Sequence, residues 1–347
     1  MDASIFPKAI AFAAALLLVL AAVPIIKRLC IRWRLFDPVG PLKIHASPVP
    51  RLGGIAIAAA LLAGTLFAAR AANSSLMFFG AAVALIWIAG LIDDIRELSP
   101  QLRLLAQIGG ASLLYSGGWR LWPSGPSIVA LLADCLWVVP FVNAFNFLDG
   151  ADGLTAGVTS VIALAYIVFP APALGIVGYA VAWSLLGACL GFLIFNFPPA
   201  KIFMGDSGSE VLGFGVAFLG LDFIATRGAR TGAPVLIFPL LIAALPLFDA
   251  MLAVLRRVES GRSPFHGDRR HFYDLLRASG WTPRRVAITC YALTALLAGL
   301  GWLATEGDLK RTLIIGMGAA VALGLAATRL GSLRPETPRT SGHRARV

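Results

Sequence analysis

"SIVALLADCLWVVPFVNAFNFLDGADGL", residues 127–154, is apolar for most of its length and then changes character. The run 127–147 has the roughly 20 residues that a helix needs to cross a bilayer. Only Asp134 interrupts it before Asn143. Asn143, Asn146, Asp149 and Asp152 then follow at every third position. The spacing predicts a membrane helix whose polar end leaves the bilayer, with Asn143 and Asn146 on nearly one face. Gly150 and Gly153 end it and let backbone approach a ligand.

Working outward, the rest of the chain repeats the first part of this pattern. Of 347 residues, 58% are hydrophobic and 14% charged. Soluble domains hold about 45–50% apolar and about 25% charged residues, so a soluble globular protein is excluded. Apolar runs predict an all-α polytopic membrane protein of about eleven transmembrane helices, at 5–26, 52–69, 76–92, 102–116, 127–147, 154–170, 173–195, 208–225, 233–252, 286–304 and 312–329. Residues 1–330 read as a single transmembrane domain and the polar stretch 331–347 as a disordered cytoplasmic tail. The first run has only Lys8 ahead of it and four basic residues just after it, so it reads as a retained span with its N-terminus outside. The four cysteines are scattered without a C-x-x-C pair, which argues against a structural metal or a disulfide framework.

The net charge of +11 need not mean nucleic acid. With eleven spans and an outside N-terminus, 22 of the 29 Lys and Arg residues fall on inner segments and 7 on outer ones. That is the bias expected of cytoplasmic loops. It puts the polar clusters, at 37–51, 93–98, 143–153, 196–209 and 256–285, all on the cytoplasmic face, and a cell inner (plasma) membrane is the expected location. A lipid bilayer is then the first partner, and a nucleic-acid partner is not expected.

Each cluster has a plain alternative. Asp93 and Asp94 in "GLIDDIREL" repel, so burying both requires a cation or a base as partner, or else they are a solvated span end. The amides and carboxylates of 143–152 suit a hard cation and hydrogen bonds to a sugar or base, or a helix end with Asx turns. "NFPPAKIFMGDSGSE", 196–210, sets Asp206 at a helix N-terminus, where anions bind, or where Asp206 or Ser207 is a plain N-cap. The arginine-rich loop 256–285 contains Asp268-Arg269-Arg270-His271, read as phosphate binding, and a short interfacial helix with Phe272, Leu275 and Leu276 on one face. Lys43 and His45 in "DPVGPLKIHASPVPRLGG" could meet an anionic substrate or serve the surface. There is no P-loop, no G-x-S-x-G and no H-E-x-x-H. Carboxylates, amides, arginines and one or two histidines suit metal-assisted phosphoryl transfer, where positioning and charge neutralisation do most of the catalysis.

Five stretches in this order, "KIHASPVPRLGG", "DDIREL", "NAFNFLDGADGL", "FMGDSGS" and "GRSPFHGDRRH", resemble the polyprenyl-phosphate N-acetylhexosamine-1-phosphate transferases, or glycosyltransferase family 4. The resemblance covers about residues 10–330 and looks closer to the GlcNAc-1-phosphate branch than to the phospho-MurNAc-pentapeptide translocases. It implies transfer of a HexNAc-1-phosphate, GlcNAc-1-phosphate first, from a UDP-N-acetylhexosamine to polyprenyl (undecaprenyl) phosphate with release of UMP, as a first membrane step of a cell-envelope glycan pathway. Mg²⁺, with Mn²⁺ as substitute, is the implied cofactor, and a homodimer is a further expectation. By resemblance Asp206 is the metal-binding aspartate, completed by Asn146, and Phe203 stacks on uracil. Asp149 and Asp152 are nucleotide-site carboxylates. Asp93 is the base or nucleophile, with Asp94 beside it and His271 as a further catalytic group. Asn143, Lys43, Arg269 and Arg270 are substrate-binding candidates. That branch usually reads His-x-His-His where this chain reads His271-Phe272-Tyr273-Asp274.

Two other classes compete. An ion-coupled secondary transporter would bind near the bilayer midplane, whereas the acidic residues here sit mostly at inner span ends, with Asp134 the main exception. The motif of CDP-alcohol phosphatidyltransferases opens as 149–156 does, but needs arginine at Gly157 and two more aspartates, and none occurs between 153 and 205.

Overall fold

The computed structural model describes residues 5–37, 48–69, 73–169, 173–231, 233–263 and 270–331. Lys43, His45, Asp268, Arg269 and the tail 332–347 lie outside them. Nearly all of the described chain is helix: α1 (Ile5–Arg32), α2 (Gly54–Ala68), α3 (Asn73–Ile95), α4 (Pro100–Ser116), α5 (Ser127–Leu148), α6 (Leu154–Val168), α7 (Ile176–Asn196) and α8 (Asp206–Thr231). A 3-10 turn at Ala233–Leu236 leads to α9 (Ile237–Ile242), α10 (Ala244–Glu259), α11 (Phe272–Ala278), α12 (Pro283–Thr305) and α13 (Leu309–Leu330). Two short antiparallel strands, β1 (Phe36–Asp37) and β2 (Val49–Pro50), sit between α1 and α2.

Each of the eleven apolar runs is helical; among the described residues not all of them are long and apolar enough to count as spans by length and composition alone. Seven helices qualify, and the pair Pro234–Ile242 and Ala244–Glu259, bent by 77°, makes up to eight. The helices α2 and α6 have 15 residues each and α4 has 17. At 1.5 Å per residue they reach about 22–26 Å, short of a core of roughly 30 Å. The reason is packing. Helix α2 lies against α1, α7 and α8, and α6 against α7 and α12. Their apolar residues face protein as much as lipid, and composition does not distinguish the two.

Helix α8 is the centre. Its span is 94% buried, and α2, α3, α5, α6 and α7 all pack on it. Small residues permit this: a Cβ at Gly213 would press on the backbone of Phe141 and Val142, and one at Gly220 on Trp137. Helix α13, 11% buried, is peripheral.

Hydrogen bonds and an ion pair tie each end of the bundle. At one end Gly53 N donates to Phe203 O at 2.9 Å, Gly153 N to Asn196 Oδ1 at 3.0 Å, and Arg284 Nε to Pro198 O at 3.0 Å. These join the starts of α2, α6 and α12 to the segment between α7 and α8. At the other end the buried Asp222 accepts from Trp119 Nε1 at 2.8 Å and Gly175 N at 2.7 Å, and Arg227 pairs with Glu306. Asp134 belongs to that second end: fully buried, it accepts from Leu121 N at 2.8 Å.

Candidate active site

At the first end, a cavity of about 690 Å³ opens between the ends of α3, α5 and α7, the starts of α4, α6 and α8, and α11. All five clusters of the sequence contribute to its wall, among them Asp37, Asp93, Asn146, Asp206 and His271.

The α8 start is built by the α3 end. Gly205 has φ +70°, a left-handed conformation that glycine adopts without strain, and a Cβ there would collide with the Asp94 carboxylate. Asp94 is therefore drawn against the first turn of α8. It accepts from Asp206 N at 2.8 Å, from Ser207 N at 3.1 Å and from Ser207 Oγ at 2.6 Å. The N-terminus of α8, which the sequence offers to a bound anion, is already capped by a protein carboxylate.

Asp93, the adjacent residue, turns the other way. Its oxygens accept from Leu98 N at 2.5 Å and Arg103 Nη1 at 3.1 Å. Arg103 also lies 3.8 Å from Asp206, so one guanidinium bridges two carboxylates from different helices. Asn146 Nδ2 donates to Asp206 Oδ1 at 2.9 Å and to Ser209 Oγ at 3.2 Å.

The loop between α5 and α6 forms a second wall. Asp149 is the C-cap residue of α5, and Gly153, φ +72°, starts α6. Burial pushes the Asp149 carboxyl well above the usual carboxylate range, and the charges of Asp206, Asp94 and Asp152 push it further. Asp152 accepts from Ala200 N at 3.0 Å, so it also holds the loop leading to α8. Phe203 stands on the cavity wall with its backbone clamped: its N–H donates to Pro50 O and its carbonyl accepts from Gly53.

Among the described residues, seven carboxyl side chains and three arginines, Arg51, Arg103 and Arg277, line the cavity. A wall with this excess of hard oxygen donors calls for a cation. Among the described residues there is no three-ligand group of the His/Cys/Asp/Glu kind. Mg²⁺ does not need one, because one or two carboxylates and substrate phosphates usually hold it. By the chemistry of their oxygens the residues present fit Mg²⁺.

Comparison with known proteins decides the family. The glycosyl transferase family 4 pattern matches residues 75–224. The chain is 32% identical over 294 residues to a "probable undecaprenyl-phosphate N-acetylglucosaminyl 1-phosphate transferase" of Bacillus subtilis, covering 82% of this chain and 81% of the relative. The chain belongs to glycosyl transferase family 4. It is likewise similar to a decaprenyl-phosphate N-acetylglucosaminephosphotransferase of Mycolicibacterium smegmatis, 32% identical with 84% of this chain and 80% of the relative covered. An undecaprenyl-phosphate alpha-N-acetylglucosaminyl 1-phosphate transferase of Escherichia coli is 29% identical, with 76% and 74% covered. Like its family, it is a multi-pass membrane phosphotransferase.

Within this family member, Asp93, Asn146, Asp149, Asp152, Phe203, Asp206 and His271 meet on one cavity wall, as the sequence leads one to expect. Asp94 is on the wall too, with both oxygens engaged in capping α8. Two placements differ from expectation. Asn143 does not line the cavity: its Nδ2 donates to Gln107 Oε1 at 2.7 Å and Val139 O at 2.8 Å, which joins α4 to α5 inside the bundle. Arg270 is likewise off the wall, its Nη2 donating to Gly331 O at 2.7 Å at the end of α13. Lys43 and Arg269 lie outside the described residues.

Sequence reading misses Arg103, Arg277 and Asn196 as cavity residues, and counts Arg51 only as charge. Arg103 carries one signal in retrospect. It lies one helix turn inside α4, just after the short link from α3, so it must face the end that holds Asp93.

Proposed function

We propose that this family member transfers N-acetylglucosamine 1-phosphate from UDP-N-acetylglucosamine to polyprenyl phosphate at the cytoplasmic face of the inner membrane, releasing UMP. The observation that carries the reading is the single cavity in which Asp93, Asp149, Asp152 and Asp206 face Arg51, Arg103, Arg277 and His271 at the polar end of a membrane bundle. The printed names of the relatives supply the acceptor and the sugar.

In this reading a phosphate oxygen of the lipid bonds the sugar-linked β-phosphorus. The bond from that phosphorus to the bridging oxygen breaks, and the electron pair leaves on UMP. Asp206, its carboxylate braced by Asn146, would hold Mg²⁺, which would supply charge neutralisation on the pyrophosphate when bound. Phe203 offers an aromatic face to the uracil. Asp149 and Asp152 shape the nucleotide side of the cavity. Arg103 keeps Asp93 and Asp206 at a fixed separation, and Asp93 accepts a proton from any protonated acceptor phosphate. At neutral pH that phosphate is already largely anionic, so direct attack needs little further help.

The test is UMP release from a panel of UDP-sugars with undecaprenyl phosphate in detergent, with Mg²⁺ present or chelated. Release with UDP-N-acetylglucosamine that ceases on chelation is expected. No release with any sugar overturns the proposal.

A further inference from the structure

His271 is held on three sides. Its Nδ1 lies 2.5 Å from Asp249 Oδ2. Tyr273 stacks on one face, with ring centroids 5.4 Å apart and planes 6° apart, and Phe147 packs against it at 5.8 Å. Asp249 comes from α10, 22 residues earlier, and is 4% exposed. Its other oxygen accepts from Phe272 N at 2.9 Å, so the carboxylate fixes both the ring and the backbone that carries it. Tyr273 is in turn fixed, its O–H donating to Phe147 O at 3.0 Å and its ring lying against Gly150. The clamp thus links α10 and α11 to the loop that bears Asp149 and Asp152.

A carboxylate on Nδ1 requires a hydrogen there, in the neutral ring and in the charged one alike. Nε2 is then the ring nitrogen that serves the cavity, whose wall includes His271. Without Asp249 the ring could exchange its hydrogen between the two nitrogens and rotate.

We infer that Asp249 is a positioning residue, which fixes the Nδ1–H form and the orientation of His271 so that Nε2 meets the substrate in the cavity. This rests on the reaction proposed above. Asp249 touches no substrate and acts through the imidazole.

The experiment compares wild type with Asp249→Ala, Asp249→Asn, His271→Ala and the Asp249→Ala/His271→Ala double variant. UMP release gives kcat and KM for UDP-N-acetylglucosamine, and thermal unfolding in detergent checks that each variant is folded. Loss of a group that orients a site histidine typically costs about 10–100-fold, so Asp249→Ala should lower kcat by that factor with KM within about threefold of wild type. Asp249→Asn keeps an acceptor oxygen and should recover part of the loss. In the double variant kcat should fall no more than about twofold below His271→Ala alone, because the two residues act as one unit. Losses that multiply would overturn the inference. The ring itself is read by nitrogen NMR of histidine-labelled protein, which has only four histidines. His271 should carry hydrogen on Nδ1 in wild type and shift toward Nε2–H in Asp249→Ala. An Nε2–H ring in wild type also overturns it. Should wild type release no UMP with any sugar, the reaction fails while the NMR arm still decides the Asp249–His271 pairing.

Discussion

Asp93 and Asp94 are adjacent aspartates on the same cavity, and replacing each in turn separates chemistry from architecture. Asp94→Ala removes the acceptor of two backbone N–H groups and one hydroxyl at the start of α8. The hydroxyl of Ser207 has a second acceptor in Met204 O, so the two amides bear the loss. A buried donor left unmade costs about 1–3 kcal/mol. Asp94 is 7% exposed and water from the cavity reaches only part of the site, so the total should be about 2–4 kcal/mol, including the lost anion at the helix N-terminus. For a chain longer than 250 residues that lowers the thermal midpoint by roughly 3–8 °C. Asp93→Asn keeps an acceptor for Leu98 N and gives up an ion pair whose carboxylate is 6% exposed, but the Arg103 left behind is 28% exposed and still lies 3.8 Å from Asp206, so the midpoint should stay within about 2 °C while kcat falls by about 10²-fold or more and UDP-sugar binding changes little. The assay is thermal unfolding of the detergent-solubilised protein, paired with UMP release and equilibrium binding of the UDP-sugar. An Asp94→Ala variant as stable as wild type, binding substrate yet inactive, would refute the capping argument and return Asp94 to the chemistry.

Three further outcomes follow from the same geometry. Asp206→Ala should abolish turnover and leave the residue insensitive to added Mg²⁺, and wild-type UMP release in that variant would sink the metal assignment. Asn143→Ala should lower stability by about 1–3 kcal/mol, because the buried Gln107 amide oxygen loses its donor, while KM for the UDP-sugar stays within about twofold; a large KM change with unaltered unfolding would put Asn143 back in the cavity. Asp149 has its folded-state carboxyl raised, so its protonated form favours folding and that stability is lost as pH rises. Asp149→Asn mimics the neutral form, and in a chelator it should unfold at a higher temperature than wild type at pH 8, with the gap closing as pH falls toward the ordinary carboxylate range. Added Mg²⁺ should also narrow the gap, and a variant less stable than wild type at pH 8 would contradict the reading.

The sequence exposes what an apolar chain cannot hide. Asn146, Asp149, Asp152 and Asp206 stand out because carboxylates and amides are costly in a membrane bundle unless something pairs with them. The helices are legible for the same reason. What composition leaves open is how a polar or apolar residue is used. The apolar run 52–69 looks like a span, yet its helix α2 has only 15 residues and lies against α1, α7 and α8, since a lipid-facing side chain and a core-facing one read alike. Asp93 and Asp94 look like a pair, but neighbours on a helix point about 100° apart, and only the packing of α8 decides which one caps and which one faces Arg103. Asn143 shares the three-residue spacing of the site and belongs to the bundle, because Gln107 on α4 is there to receive it. Asp249 and Arg103 were invisible as partners because each is defined by a residue on another helix.

The capping of α8 also bears on how an anionic substrate can be held. A free helix N-terminus would give phosphate a ready seat. Here Asp94 occupies it, and among the described residues the cavity carries seven carboxyl groups against three arginines. A pyrophosphate brought into that field is repelled unless positive charge comes with it. Arg103 does not supply it freely, since it is shared between Asp93 and Asp206. In the reaction proposed above, a divalent cation on the acidic wall, rather than a helix end, would be the seat for the phosphates. On that proposal Asp94 would have a purpose beyond stability: with the helix N-terminus closed, a metal–phosphate complex would be the species the cavity accepts.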